Sequence, residues 1–216
     1  MKVIEVIGPS GSGKTTYVSN IPDKNGIHTD RMQTFTKSLP AGTILRNLPI
    51  QESFTRRIFA YIQHRYEQRF FSQFPGVLET VASIVQNSRN KRNMLSNIFR
   101  EAAWFEFFST HIGPEEIYIV DDGLYQFHLD LLSKERWSGE EIMNRLPEPD
   151  KIIFIDAPAK LCLERQETRA RGRASELTGI DRSKAIDKLE AMRKSSEKII
   201  AEARNRGIET KVVSNA

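Results

Sequence analysis

The stretch Lys2-Val3-Ile4-Glu5-Val6-Ile7-Gly8-Pro9-Ser10-Gly11-Ser12-Gly13-Lys14-Thr15 decides how this chain is read. Lys2 to Ile7 is a β-branched run that predicts a short buried strand. Residues 8 to 15 then carry the spacing G-x-x-x-x-G-K-[ST] of a phosphate-binding loop, and Thr15 to Ser19 predicts the opening of a helix. A loop between a strand end and a helix start aims several backbone N–H groups, and the positive end of the helix dipole, at one point. Gly8, Gly11 and Gly13 permit the positive-φ turns and the close backbone approach that this requires. The motif implies a nucleoside-triphosphate site. Gly8, Ser10, Gly11, Ser12, Gly13, Lys14, Thr15 and Thr16 surround the phosphates, Lys14 reaches the β- and γ-phosphates, and the Thr15 hydroxyl ligates Mg²⁺.

Working outward, three further runs predict strands: Glu116–Val120, Lys151–Ile155 and Thr210–Val213, with Gly26–Thr29 as a weaker fifth. Helical stretches separate them, which is the α/β pattern of a parallel sheet with ligands beyond the carboxyl ends of the strands. Residues 48–112 predict a mostly helical insertion. Ile50, Phe54, Ile58, Tyr61 and Arg65 share one helical period; Val77, Val81, Ile84 and Val85 make a second, after Pro75-Gly76. Leu95, Ile98, Ala102, Phe105 and Ile112 make a third, ended by Gly113-Pro114. Phe99, Trp104, Phe105 and Phe108 follow a helix face and are expected in packing, not in base stacking. Towards the carboxyl terminus, Ser183 is expected to cap a helix with apolar face Ile186, Leu189, Ile199 and Ala203, and Gly207 to end it.

With 216 residues, 39% hydrophobic and 28% charged, the chain is expected to form one α/β domain of ordinary soluble composition. No run approaches the roughly 18 apolar residues of a membrane span, and Glu5 and Gly8 interrupt the amino-terminal apolar run, so neither membrane nor signal peptide is expected. The lone Cys162 excludes an internal disulfide, fits a reducing cytoplasm, and reads as a small buried side chain on a helix. The net charge of +4 comes with arginine-rich clusters at Arg56-Arg57, at residues 89–92 and at residues 165–173. Such clusters serve polyphosphate ligands or nucleic acid. His28, His64, His111 and His128 lack metal-ligand spacing.

Phosphoryl transfer needs a metal, a means of orienting the acceptor, and cations for the transferring group. Ile117-Tyr118-Ile119-Val120 runs into Asp121-Asp122-Gly123, two acids at a strand end. Strand alternation turns them to different sides. Asp121 is assigned to the metal and Asp122 to the acceptor's proton; the reverse, or an Asx turn capping the helix from Leu124, stays open. Asp156-Ala157-Pro158 ends the next strand, with Asp156 expected mainly as a cap and Pro158 at the first position of a helix from Ala159 to about Arg169. Arg165 and Arg169 share a face of that helix, and with Arg171 and Arg173 predict an arginine-bearing lid over about residues 164–180. Asp30, Arg31, Arg57 and Arg100 are candidates for the acceptor, beside Arg56.

The phosphate loop, the acid-ended strand and the segment Asp156, Arg165, Arg169, Arg173 together resemble the thymidylate kinase-like branch of P-loop kinases, over roughly half the chain. That resemblance implies a three-layer α/β sandwich with a five-stranded parallel sheet, an ATP–Mg²⁺ donor, and Gly11, Gly13, Lys14, Thr15, Asp121 and the lid arginines in the donor site. A homodimer is compatible with it. Thymidylate kinases usually carry Asp-Arg where this chain has Asp121-Asp122, and an Arg-Glu-Pro-Gly segment where it has Asp30-Arg31-Met32-Gln33. The stretch Asp121 to Gln126 looks more like the Asp-Glu-Gly of kinase-like proteins of that branch. These departures point away from thymidylate kinase activity and allow a plain hydroxyl acceptor. The expectation is a kinase with a small-molecule acceptor, a nucleotide or a hydroxylated metabolite. The alternatives are a kinase acting on nucleic acid and a non-kinase NTPase switch.

Overall fold

Val3, Val6 and Ile7 turn fully inward along strand β1 (Lys2–Ile7), as expected for a β-branched strand covered on both faces. In the computed structural model, which describes residues 1–22, 26–38, 52–87, 91–133, 136–169, 172, 174 and 177–215, β1 is the middle strand of a sheet ordered β2-β3-β1-β4-β5. The other strands are β2 (Ile27–His28), β3 (Ile117–Val120), β4 (Lys151–Asp156) and β5 (Glu209–Ser214), and the sheet is parallel throughout and flanked by helices. The α/β class and the five-stranded parallel sheet are those the sequence predicts. No helix among the described residues is long and apolar enough to cross a membrane.

The chain divides into two compact units. One comprises Val3–Ile21 and Val120–Ala216. Its helices are α1 (Lys14–Ser19), α6 (Leu124–Ser133), α7 (Gly139–Met143), α8 (Ala159–Glu167) and α9 (Arg182–Asn205). Leu163 and Cys162 of α8 pack with Ala185 and Leu189 of α9 in an apolar cluster that includes Ala157 and Leu177. The cap of α9 is Asp181, whose carboxylate accepts the Lys184 N–H at 2.9 Å, and not the expected Ser183. Both residues are good caps; the first apolar residue of the buried face, Ala185, selects the earlier one. Pro158 likewise sits one residue before the first helical position and caps α8 without a side-chain bond. Gly207, at φ 77°, ends α9 as expected. The short α7 has a full capping box between Ser138 and Glu141, which the sequence reading passed over.

The other unit comprises Met1–Lys2 and Pro22–Ile119, with α2 (Arg31–Ser38), α3 (Glu52–Gln73), α4 (Gly76–Asn87) and α5 (Lys91–His111). The part of the predicted insertion from 48 to 51, including Ile50, lies outside the described residues. An aromatic stack forms this core. Phe59 lies flat on Trp104 with centroids 3.5 Å apart, Trp104 on Phe108 at 5.3 Å, and Phe108 against Tyr118 at 4.4 Å. Phe35 meets Phe59 and Trp104 edge-on. Phe99 and Phe105 pack edge-on against Phe71 and Phe70, so the four aromatic residues expected in packing are there. The buried stripe of α3 is Phe59 and Phe70, with Tyr66 partly buried between them. Tyr61 is 89% exposed and Arg65 is exposed, contrary to the face predicted through them. This helix carries two apolar stripes of equal period, and the partners on α5 choose between them.

On α6, His128 is wholly buried, with Nδ1 2.6 Å from the Leu124 carbonyl. Burial pushes its pKa down to about 4, against the smaller opposing effect of that contact. In the unfolded chain the imidazole titrates near ~6.5. Its contribution to stability is therefore complete above that pH and is lost as pH falls towards 4, because only the unfolded state takes up the proton readily. The urea midpoint is expected to drop across this window, and more shallowly in His128→Gln; parallel slopes would show that His128 does not bind its proton differently on folding.

Candidate active site

The loop after β1 turns on glycines whose missing side chains are required. Gly11 has φ 93°, and a Cβ there would run into the backbone carbonyl of Cys162. Gly13 has φ 100°, and a Cβ there would lie 2.5 Å from the Asn215 carboxamide nitrogen. The Gly8 N–H donates to Gln126 Oε1 at 3.1 Å, and the Ser12 N–H closes a turn on the Pro9 carbonyl at 3.1 Å. Lys14 is buried, its ammonium donating to the carbonyls of Gly8 at 2.9 Å and Pro9 at 3.2 Å. Ser12 is fully buried, and its hydroxyl has no hydrogen-bond partner among the described residues. Thr15 and Thr16, in the first turn of α1, are exposed. A buried hydroxyl without a partner, a glycine cradle and an adjacent ammonium fit a polyanion such as a triphosphate.

Thr15 Oγ1 donates to Asp121 Oδ2 at 2.6 Å, joining the loop to the end of β3 across 106 positions of sequence. Asp121 is half-buried and Asp122 exposed. At the start of the helix that follows, Glu5, buried in β1, accepts the Tyr125 N–H at 3.1 Å. Gly123 makes room for that carboxylate, since a Cβ would stand 2.6 Å from it. Among the described residues no group of three or more His, Cys, Asp or Glu gathers around one point. A hydroxyl and one or two carboxylates beside a phosphate site suit Mg²⁺, which keeps much of its water and takes oxygen ligands from the nucleotide.

Of the expected lid arginines, Arg165 lies against the loop, with Nη1 3.4 Å from the Ser12 carbonyl and Nη2 3.4 Å from the Asn215 carbonyl. Arg169 is half-exposed just past α8, and its carbonyl accepts the Gly172 N–H at 2.9 Å. Arg171 and Arg173 lie outside the described residues, as do parts of the predicted lid. Cys162 is buried beneath the loop as expected, and burial pushes its thiol pKa up, against the opposing field of Arg165, Lys14 and Arg169. Asp156 is not the helix cap the sequence suggests. Its carboxylate is gripped by Arg193 from α9, Nε to Oδ1 at 2.5 Å and Nη2 to Oδ2 at 3.2 Å. A two-pronged charged contact outcompetes a cap to N–H groups of the next helix.

In the other unit the acceptor candidates have identifiable partners. The Asp30 carboxylate accepts the N–H groups of Met32 at 2.9 Å and Gln33 at 3.0 Å and so caps α2, a helix the sequence reading missed. Arg31 pairs with Glu101, which is almost fully buried on α5, and Arg100 Nε stands 3.8 Å from the same carboxylate oxygen. Arg57 is exposed on α3, and the side chain of Arg56 lies outside the described residues. The residues missed near the loop are Glu5, Gln126, Gln166, Arg193 and Asn215. Only Asn215 had a signal, a polar residue at the carboxyl end of the last strand.

No protein-family model matches this sequence, and no curated protein does. Among solved structures it is similar to deoxyadenosine kinase from M. mycoides with bound dATP, at 15% identity and a TM-score of 0.46, over 98% of this chain and 90% of that one. It is also similar to the M. mycoides deoxyadenosine kinase with products dCMP and a flexible dCDP bound, at 13% identity and a TM-score of 0.42, over 99% and 89%.

Gly11→Ala tests the cradle. Its side chain has no room and its φ suits no alanine, so stability is expected to fall by about 1–3 kcal/mol or more in urea titrations. An unchanged midpoint would mean that the loop does not hold this conformation in solution.

Proposed function

We propose that this chain is an ATP- and Mg²⁺-dependent kinase that moves the γ-phosphoryl group of ATP to a small-molecule acceptor, a nucleotide or a hydroxylated metabolite. The observation that carries the reading is the hydrogen bond from Thr15 at the head of the glycine loop to the strand-end carboxylate of Asp121. It brings together a phosphate cradle and a carboxylate–hydroxyl pair suited to a divalent cation.

In this reading the loop amides from Gly8 to Thr16 and the Lys14 ammonium bind the triphosphate. Lys14 exchanges its bonds to the Gly8 and Pro9 carbonyls for charge-assisted ones to phosphate oxygens. Thr15 and Asp121 hold the metal, and Mg²⁺ when bound neutralises charge on the β- and γ-phosphates. Asp122 orients the acceptor hydroxyl and takes its proton, Asp121 being the alternative for that role. The acceptor oxygen bonds to the γ-phosphorus, the bond from that phosphorus to the β–γ bridging oxygen breaks, and ADP leaves with the electron pair. Arg165, Arg169 and Arg173 stabilise the charge on the transferring group and help exclude water. Asp30, Arg31, Arg57 and Arg100 contribute to acceptor binding, the arginines suiting an anionic group on it.

The experiment is incubation with γ-labelled ATP, Mg²⁺ and a metabolite extract supplemented with nucleosides, nucleoside monophosphates and DNA. Label on a small organic acceptor supports the reading. Label on DNA would point to a nucleic-acid kinase, and free phosphate alone to an NTPase switch. Lys14→Ala is expected to cut transfer by on the order of a hundredfold or more; near-normal transfer would overturn the loop assignment. Asp122→Asn is expected to reduce transfer far more than ATP binding, whereas Asp121→Asn weakens Mg²⁺-dependent binding as well. Equal losses of transfer and binding in Asp122→Asn would reverse the two roles.

A further inference from the structure

In a trans peptide the carbonyl of one residue and the N–H of the next point in opposite directions. Holding the carbonyl therefore aims the N–H. In the loop after β1, two such carbonyls are held by side-chain carboxamides from distant parts of the chain. Gln166 Nε2 donates to the Ser10 carbonyl at 2.6 Å, and Asn215 Nδ2 donates to the Ser12 carbonyl at 2.6 Å. The peptides concerned are those before Gly11 and Gly13, the two glycines at positive φ. Glycine has no side chain to resist a peptide flip, so these units most need an outside restraint.

Both carboxamides are themselves fixed. Gln166 on α8 is fully buried, and its Oε1 accepts the Ala174 N–H at 2.8 Å, so each end of the amide is used. Asn215 follows β5, and its backbone N–H donates to the Asp156 carbonyl at 2.8 Å, prolonging the β4–β5 ladder beyond Ser214. Its Oδ1 faces Arg165 Nη2 at 3.4 Å. A carboxamide carries a donor and an acceptor on one flat, uncharged group. A carboxylate of the same shape would keep the acceptor side and set an oxygen against the loop carbonyl.

We propose that Gln166 and Asn215 are positioning residues for phosphate binding, which aim the Gly11 and Gly13 N–H groups into the loop by holding the carbonyls behind them. Neither touches the phosphate. The inference rests on the reading of this loop as a triphosphate site.

The test uses Gln166→Glu and Asn215→Asp in the full chain. Calorimetric titration with ATP–Mg²⁺ and with inorganic tripolyphosphate reads binding, and thermal melting without ligand reads the fold. Each variant is expected to weaken both ligands about tenfold while the ligand-free melting temperature stays within a few degrees of the parent. A merely structural role would lower the melting temperature and leave the affinity of the folded protein unchanged. That result, or parental affinity in both variants, overturns the inference. If Gln166→Glu does not melt cooperatively, Asn215→Asp alone decides. Failure of the parent chain to bind either ligand would instead overturn the phosphate-site reading.

Discussion

A loop cannot converge its N–H groups on one point without sending carbonyls elsewhere, and every buried carbonyl needs a donor. Much of the unit around the loop after β1 is organised by that requirement. The carbonyls of Gly8 and Pro9 take the Lys14 ammonium, that of Ser10 takes Gln166, and that of Ser12 takes Asn215. The Gly8 N–H, which opens the loop, is taken by Gln126 of α6. These partners come from α1, α6, α8 and the end of β5, so the loop's shape is a joint product of elements scattered through the chain. The ion pair of Asp156 with Arg193 belongs to the same design. It fixes the end of β4, on whose Asp156 carbonyl the backbone of Asn215 is hung.

The parts legible in the sequence are those whose cause is local. The glycines and Lys14 announce the loop because positive φ and a phosphate-reaching cation leave a fixed spacing. β1, β3, β4 and β5 are legible because β-branched runs bounded by polar residues have few other uses. Non-local competition is where reading failed. Asp156 before Pro158 has every local mark of a helix cap, and nothing nearby in sequence says that Arg193, 37 positions on, will take it. Asp30 has a local use besides its candidacy for the acceptor, since its carboxylate accepts two N–H groups of the first turn of α2. Gln126 and Gln166 are ordinary helical glutamines until the fold puts a loop amide or carbonyl beside them. On α3 the ambiguity was in the pattern itself, since the stripe through Tyr61 and the stripe through Phe59 have the same period.

Glu101 shows how the second unit handles a buried charge. A carboxylate on the inner face of α5, 4% exposed, would be costly unpaired, and two arginines from different elements approach it. Removing Glu101 would take from both arginines the carboxylate oxygen they share. Removing Arg31 would leave the acid with Arg100 at 3.8 Å as its more distant cation. Pairing of this kind is what lets a carboxylate stand on the inner face of a helix.

The two acids after β3 show how a one-residue step gives neighbouring side chains different surroundings. Adjacent side chains at a strand end diverge. Asp121 meets the Thr15 hydroxyl and is half-buried, while Asp122 is exposed. The bond that Thr15 donates to Asp121 spans 106 positions of sequence, so it ties the end of β3 to the first turn of α1 where no local interaction could. Asp122, one residue on, is left at the surface by the same alternation.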